Sequence, residues 1–508
     1  MPHGHQLTGA TLEGAPILTA DQMRAAEQQC IAQGTGSYEL MQRAGRAVVE
    51  VIRLQWPGRV GRALVLCGPG NNGGDGFIVA QGLVELGYDV AIATARPLAN
   101  YRGDAAKAAN GISLPVLKLK ADALVDWLVP ETLIVDAVFG IGLTRPIEGD
   151  LARLFEAINT GGAPVVAVDI ASGVQADTGE ICGSAVQATV TVTFGWPKRG
   201  HLMVPGRGRT GMLVCADIGL KDNDLAPEAR TVRLNGPALW IDAFPCPGQA
   251  DHKYSRGHAI VVGGTVMPGA ARLAARGARR AGVGMLTVAT AESARGLYLA
   301  DQPGLIVVAM QGVTDLAALL ADRRVTGFLV GSGLSPDAET GSLVMTALAS
   351  GKPGAIDGGG LTVFAGEVRA LFSAITGPAV LTPHEGEFGR LFPHLSHLPS
   401  KLARAQAAAR ETGAVVVLKG ADTVIAAPDG RAVINANAPA WLATAGSGDV
   451  LAGLVLGLLA QGMPAFMAAA AAVWLHGAAG AAFGPGLIAE DLPEALPGVL
   501  KQLRSSHG

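Results

Sequence analysis

The stretch "LCGPGNNGGDG", residues 66–76, follows the apolar run "RALVLCG" (62–68) and precedes "GFIVAQGLVELG", whose spacing predicts a helix ended by Gly87. Strand, glycine turn and helix together make one α/β unit. Gly68, Gly70 and Gly73 spell G-x-G-x-x-G, the pattern of a dinucleotide cradle, in which glycines let the backbone approach a pyrophosphate at a helix N-terminus. In a dehydrogenase an acidic residue about 20 positions on completes that cradle by holding the ribose. Here that place reads "VAIATARP", with Arg96 and no acid. An arginine suits a 2′-phosphate, but such a cradle has no need of Asn71, Asn72 and Asp75 inside the loop.

Those side chains have two readings. They either close Asx-turns or offer hard oxygen ligands to a cation. The neighbouring segments bear on the choice: "DVAIATA" (89–95), "TLIVDAVFG" (132–140) and "PVVAVDIASG" (164–173) are near-continuous apolar strands separated by helical stretches such as "LARLFEAIN". That rhythm predicts a parallel sheet covered on both faces, with ligands beyond the carboxyl ends of its strands. Asn71, Asn72, Asp75, Asp136, Asp169 and Ser172 then converge on one crevice, which favours the cation. Upstream, "LTADQMRAAEQQCIAQG" (18–34) reads as a helix capped by Thr19.

From about residue 220, "LKDNDLAPEARTVRLNGPALW" loses the α/β rhythm and collects charge and proline, which marks a linker. A second α/β series starts at "GHAIVVGGTVMPGAARLAARGARRAG" (257–282), so two domains are expected, 1–225 and 226–508. In the second, "TAGSGD" (444–449) stands directly before a long apolar helix. Small-residue N–H groups at that helix start form an anion hole able to stabilise a transferring phosphoryl group, and Asp449 is placed to take a proton from an attacking hydroxyl. No G-x-x-x-x-G-K-[ST] occurs, which excludes a P-loop enzyme.

Composition narrows the partners. A net charge of −3 and the lack of basic runs interleaved with aromatics argue against nucleic acid. Five cysteines with no C-x-x-C pair argue against a disulfide framework or zinc site and fit a cytoplasmic protein. The N-terminal residues lack a leader pattern, and the apolar runs at 450–460 and 465–475 are too short to span a bilayer, so no membrane association is expected.

Two resemblances sharpen this reading. "GPGNNGGDG", "VDAVFGIGLTRP", "VDIASGVQADTG" and "TFGWPKRG" resemble, in order and spacing, the signature blocks of the NAD(P)H-hydrate epimerase family. The resemblance implies a Rossmann-like doubly wound sheet in which Asn71, Asn72, Gly73, Gly74 and Asp75, with Gly140, Ile141, Gly142, Leu143, Thr144, Arg145 and Pro146, hold the hydrated dinucleotide. It makes Asn72, Asp136 and Ser172 ligands of a potassium ion and Asp169 the acid/base, for which a carboxyl raised toward neutrality by burial is expected. Ala171 stands where the family usually has proline.

"HKYSRGH", "LTPHEGEF", "LKGADTVIA" and "ATAGSGDVLAG" resemble the ADP-dependent NAD(P)H-hydrate dehydratases of the ribokinase-like fold. That resemblance implies Asp449 as catalytic base and a nucleotide (ADP or ATP, with Mg2+) bound by Lys419, Gly420, Ala421, Asp422, Thr423 and Gly448. Ala270, Gly333 and His384 would line the hydrate site. Taken alone, His384 and Lys419 read as a structural histidine and a solvated lysine; their places inside matching blocks reverse this. "IDGGGL" (356–361) departs from the family's D-A-D-A-L, so Asp357 receives no role, and the magnesium ligands stay unassigned. The substrates implied are the hydrates of NADH and NADPH, and the assembly a homo-oligomer. The competing readings are a ribokinase-type kinase of a vitamin alcohol with a nucleotide-binding module in front, and a first half that only binds.

Overall fold

The computed structural model describes residues 12–58 and 60–507; residues 1–11, part of the N-terminal stretch read above as lacking a leader pattern, lie outside them. The chain divides into two compact units, Met1–Val232 and Arg233–Gly508. Both are of the expected α/β class.

The first unit has seven parallel strands: β1 (Arg62–Cys67), β2 (Asp89–Thr94), β3 (Val116–Lys118), β4 (Leu133–Ala137), β5 (Val165–Val168), β6 (Val190–Phe194) and β7 (Met212–Ala216). Their spatial order, β3-β2-β1-β4-β5-β6-β7, is the Rossmann order extended by one strand, with the switch point between β1 and β4. Strands β4 and β5 are buried at every position, as a sheet covered on both faces requires. The helix Ala20–Ala32 carries a reciprocal capping box, Thr19 with Gln22.

One boundary differs from expectation. The helix after β1 spans Asn71–Glu85, so "NNGGDG" is its first turns and not a loop. Its glycines serve close packing. A Cβ on Gly73 would lie 2.0 Å from the Gly68 carbonyl oxygen, one on Gly74 2.6 Å from Met41 Cε, and one on Gly76 2.8 Å from Ala137 Cβ. The helix therefore sits hard against the strand ends that carry the crevice.

The second unit has a ten-stranded sheet: β8 (Val232–Leu234), β9 (His258–Gly263), β10 (Met285–Thr290), β11 (Ile306–Ala309), β12 (Gly327–Val330), β13 (Gly354–Ile356), β14 (Ala379–Leu381), β15 (Val415–Leu418), β16 (Val424–Ala426) and β17 (Ala432–Ile434). The order is β11-β10-β9-β12-β13-β14-β15-β16-β17-β8, parallel from β11 to β15 and antiparallel from β15 through β17.

Two helices fill its core. Ser447–Ala460 packs on Pro268–Arg280 through small residues: a Cβ on Gly453 would lie 2.0 Å from Ala274 O and one on Gly457 2.6 Å from Ala278 O. The apolar run at 465 continues further than its sequence suggested, as the helix Ala465–Phe483, long and apolar enough by composition to cross a membrane. It is a core helix instead: Ala468–Val473, Leu475 and Ala479 are buried among the apolar side chains of its own unit.

Candidate active sites

In the first unit the crevice beyond β1, β4 and β5 gathers the expected polar residues. A Cβ on Gly140 would lie 3.2 Å from Asn72 Oδ1 and 3.4 Å from Asp169 Oδ2, so these three meet at one point. The following residues, 141–146, form a loop, with Gly142, Thr144, Arg145 and Pro146 exposed. Asn71 is exposed at the helix start, whereas Gly73 and Gly74 are buried against their neighbours.

Asp169 is the one non-glycine residue with positive φ among the described residues, at +65°. Such a conformation costs on the order of 1 kcal/mol and persists where surroundings enforce it, which marks functional sites. What enforces it is a buried lysine. Lys198 Nζ donates to Asp169 Oδ1 at 2.7 Å, to Thr193 Oγ1 at 2.7 Å and to the Phe194 carbonyl at 3.2 Å, and Thr193 Oγ1 donates to Asp169 Oδ1 at 3.0 Å.

His201 locks the turn from the other side. Its Nδ1 accepts from Lys198 N at 3.0 Å, which leaves Nε2 to donate to the Asp169 carbonyl at 2.9 Å. Burial pushes this imidazole down to about 4, so it stays neutral.

This arrangement corrects one expectation. Burial by itself would raise Asp169, but the Lys198 charge and hydrogen bond, with His201 and Thr193, more than offset it and hold the carboxyl below its ordinary value. The raised carboxyls are its neighbours. Asp75 is pushed well up by burial and by the charges of Asp169 and Glu27, and Glu27 is raised by burial and by Asp169. The crevice therefore sets a carboxyl lowered by Lys198 beside two whose proton affinity is raised, environments pushed apart in the way that separates a base from an acid. Lys198, His201, Thr193 and Glu27 received no role from the sequence; the block "TFGWPKRG" contained the lysine but not its direction.

Asp136 and Ser172 form a pair. Asp136 Oδ1 accepts from Ser172 Oγ at 2.6 Å and Oδ2 from Ser172 N at 2.8 Å, and Ser172 Oγ accepts from Phe139 N at 2.8 Å. Asp136 is fully buried with no cationic side chain paired to it among the described residues, and burial pushes its carboxyl up to about 6. Asn72 Nδ2 is buried without a partner. An uncompensated carboxylate among hydroxyl, carbonyl and amide oxygens is a donor set that fits a hard monovalent cation.

In the second unit the site lies beyond β9 and β12 to β15. Asp357, left without a role by the sequence, is its centre: Oδ1 accepts from Lys419 Nζ at 2.9 Å and Thr382 Oγ1 at 2.7 Å, and Oδ2 from Ser332 Oγ at 3.2 Å. The "IDGGGL" departure concealed it, since only the fold brings β12, β13, β14 and β15 to one point. Asp449 stands in the first turn of Ser447–Ala460, after Gly446, whose φ of +87° begins the helix. Its carboxyl is pushed up to about 6 by burial and by the Asp357 charge, with Ser332 and Lys419 opposing. A Cβ on Gly448 would lie 3.4 Å from Lys419 Nζ, so Lys419 faces the anion hole.

Ala270 and Gly333 also meet, since a Cβ on Gly333 would lie 3.1 Å from Ala270 Cβ. His384 caps the helix Glu385–Leu391; its Nδ1 accepts from Gly386 N and Glu387 N, and Nε2 of its exposed ring lies 3.6 Å from Glu387 Oε1. The "KGADT" turn divides its labour. Asp422 Oδ1 is held by Lys401 Nζ at 2.8 Å, and Thr423 Oγ1 donates to the Gly420 carbonyl at 2.8 Å, so these two brace the turn that presents Lys419. His476, buried and lowered to about 4 by burial, holds the Ser447 carbonyl at 2.9 Å.

Fold and crevices define a protein of two α/β units, each with a buried carboxylate–lysine centre beyond the carboxyl ends of its parallel strands. Family models match both: "YjeF-related protein N-terminus" over residues 37–200 and "NAD(P)H-hydrate dehydratase" over residues 259–496. The bifunctional NAD(P)H-hydrate repair enzyme Nnr of Moorella thermoacetica is 38% identical over 495 residues, covering 92% of this chain and 93% of its own. That of Salinibacter ruber is 35% identical, covering 95% and 96%. Among solved structures, the ADP/ATP-dependent NAD(P)H-hydrate dehydratase of Bacillus subtilis, co-crystallised with ATP/Mg2+, is 31% identical with a TM-score of 0.46, covering 51% of this chain and 94% of that one. The chain belongs to the family of bifunctional NAD(P)H-hydrate repair enzymes.

Proposed function

We propose that each crevice carries one of the two reactions of hydrate repair: epimerisation of the R and S hydrates of NADH and NADPH in the first unit, and dehydration of the S hydrate back to NAD(P)H in the second. The observation that carries the epimerase assignment is the contrast between Asp169, held below its ordinary value by the Lys198 contact at 2.7 Å, and Asp75, whose proton affinity is raised by burial. Epimerisation needs no redox partner. A protonated carboxyl assists departure of the C6 hydroxyl as water, and an ionised one takes the proton when water adds back on the other face. The loop 140–146 and Asn71–Asp75 hold the dinucleotide. Asn72, Asp136 and Ser172 would hold a potassium ion that neutralises Asp136.

In the second unit Asp449 takes the proton of the substrate hydroxyl as it attacks the terminal phosphoryl group of ADP or ATP; elimination of phosphate then restores the dihydronicotinamide. A carboxyl raised to about 6 is still mostly ionised at neutral pH and is a stronger base than an unshifted one. Lys419 and the N–H groups around Gly448 receive the transferring charge, and Ala270, Gly333 and His384 line the hydrate pocket. Magnesium binds chiefly through nucleotide phosphates and water, with few protein ligands. A kinase of a vitamin alcohol is not favoured, because both halves match repair relatives over nearly their whole length. A cytoplasmic homo-oligomer is part of the same proposal.

Incubating NADH hydrate with ADP and magnesium, and following the regenerated dihydronicotinamide absorbance, tests it. Both epimers should be consumed. Asp449→Asn should stop regeneration while leaving epimer exchange, and replacing potassium by choline should slow exchange alone. Phosphorylation of another alcohol with no regeneration would refute the assignment.

A further inference from the structure

The second unit has another cleft, at the opposite end of its sheet from Asp449, where β9, β10 and β11 begin. It encloses about 730 Å³, within the range of small-molecule sites. Lys253 and Arg256, ahead of β9, and Arg276, Arg279 and Arg280, at the end of the helix Pro268–Arg280, line it. Met285, Leu286 and Ile306 give it an apolar wall.

The cations are not balanced locally. Arg276 pairs with Asp301 at 2.5 Å, and Arg280 pairs with Glu494. Lys253, Arg256 and Arg279 form no ion pair among the described residues; Asp251 and Glu490 act on the group only from a distance. Arg256 Nη2 donates to the Gly282 carbonyl at 2.5 Å while its Nε is buried with no partner, and Arg279 meets only the neutral Gln302 amide.

Lys253 is exposed, but Arg256 and Arg279 are half-buried and not freely solvated. A Cβ on Gly304 would lie 2.5 Å from Arg279 Nη2, and one on Gly282 3.0 Å from Arg256 Nη2, so glycines clear the space in which the guanidinium groups lodge. Half-buried like charges held side by side repel one another unless an anion joins them. Guanidinium forks match phosphate oxygens in pairs, and three unpaired cations match the charge of a di- or triphosphate better than that of a single carboxylate.

We propose that this cleft binds a metabolite carrying a di- or triphosphate group, at a site separate from both repair reactions, with the apolar wall receiving its organic part. Calorimetric titration of the full chain with inorganic tripolyphosphate, at about 0.15 M salt where surface charges are screened beyond about 8 Å, tests it. The wild type and Lys419→Ala should bind alike. The triple variant Lys253→Ala/Arg256→Ala/Arg279→Ala should bind at least tenfold more weakly while keeping dehydratase activity. Glu494→Gln, which frees Arg280, should bind several-fold more tightly, and this decides the matter if the triple variant fails to fold. No binding to the wild type, loss of binding in Lys419→Ala alone, undiminished binding in a folded triple variant, or unchanged affinity in Glu494→Gln would each overturn the proposal.

Discussion

The Asp169–Lys198 contact makes the epimerase site a matter of which carboxyl keeps its proton. Asp169→Asn removes the ionised partner and should lower epimer exchange at least about a hundredfold while dinucleotide binding persists. Lys198→Met makes a sharper prediction. In the wild type the carboxyl lies below its ordinary value, so exchange stays level down to acidic pH; without the lysine, burial is no longer offset and the carboxyl rises. The acid limb of kcat/KM should then move toward neutral pH, with activity recovering at higher pH, whereas a merely structural lysine would lower the rate equally at all pH. Asp449 predicts its own profile. With its carboxyl at about 6 and the ionised form required, dehydration should rise with pH through about 6, level off above it, and fall about tenfold per unit well below it. A flat profile between pH 5 and 8 would remove Asp449 from the role of base.

The helix Asn71–Glu85 shows how an element positions a site. Its glycines were readable as a dinucleotide turn, and that turn is present, but the helix begins at Asn71 because Gly73, Gly74 and Gly76 permit contact with Gly68, Met41 and Ala137. Gly73→Ala places a Cβ 2.0 Å from a backbone oxygen, and overpacking of that kind costs about 1–3 kcal/mol. We expect a lower melting temperature and impaired epimerisation, with dehydration intact. Gly70→Ala is the control: its φ of −110° suits any residue and its Cβ meets nothing within 4 Å, so both activities should survive. The strands β1, β4 and β5 were legible as apolar runs. The short β3, largely exposed, carried no such run, and β16 and β17 are too short for a period to emerge.

For the whole molecule, the two centres belong to separate compact units, Met1–Val232 and Arg233–Gly508. If each reaction is complete within its own unit, equimolar Asp169→Asn and Asp449→Asn chains should together consume both epimers, though neither does so alone. Failure of the mixture, with each single activity intact, would mean that the two centres must share one chain.

Local chemistry written along the chain was enough for the α/β class, the fall in rhythm near residue 220, the glycine turn, and the carboxylates Asp136, Asp169 and Asp449, because strand runs, helix caps and close-approach glycines are short-range properties. The protonation states were not. Asp169 was expected to be raised and is lowered, because Lys198 arrives from 29 positions away; Asp357 was passed over and is the centre of its site, because Ser332, Thr382 and Lys419 reach it from three other strands. A carboxyl's proton affinity depends on burial and on charges a few ångströms away, and only the folded chain decides what lies there.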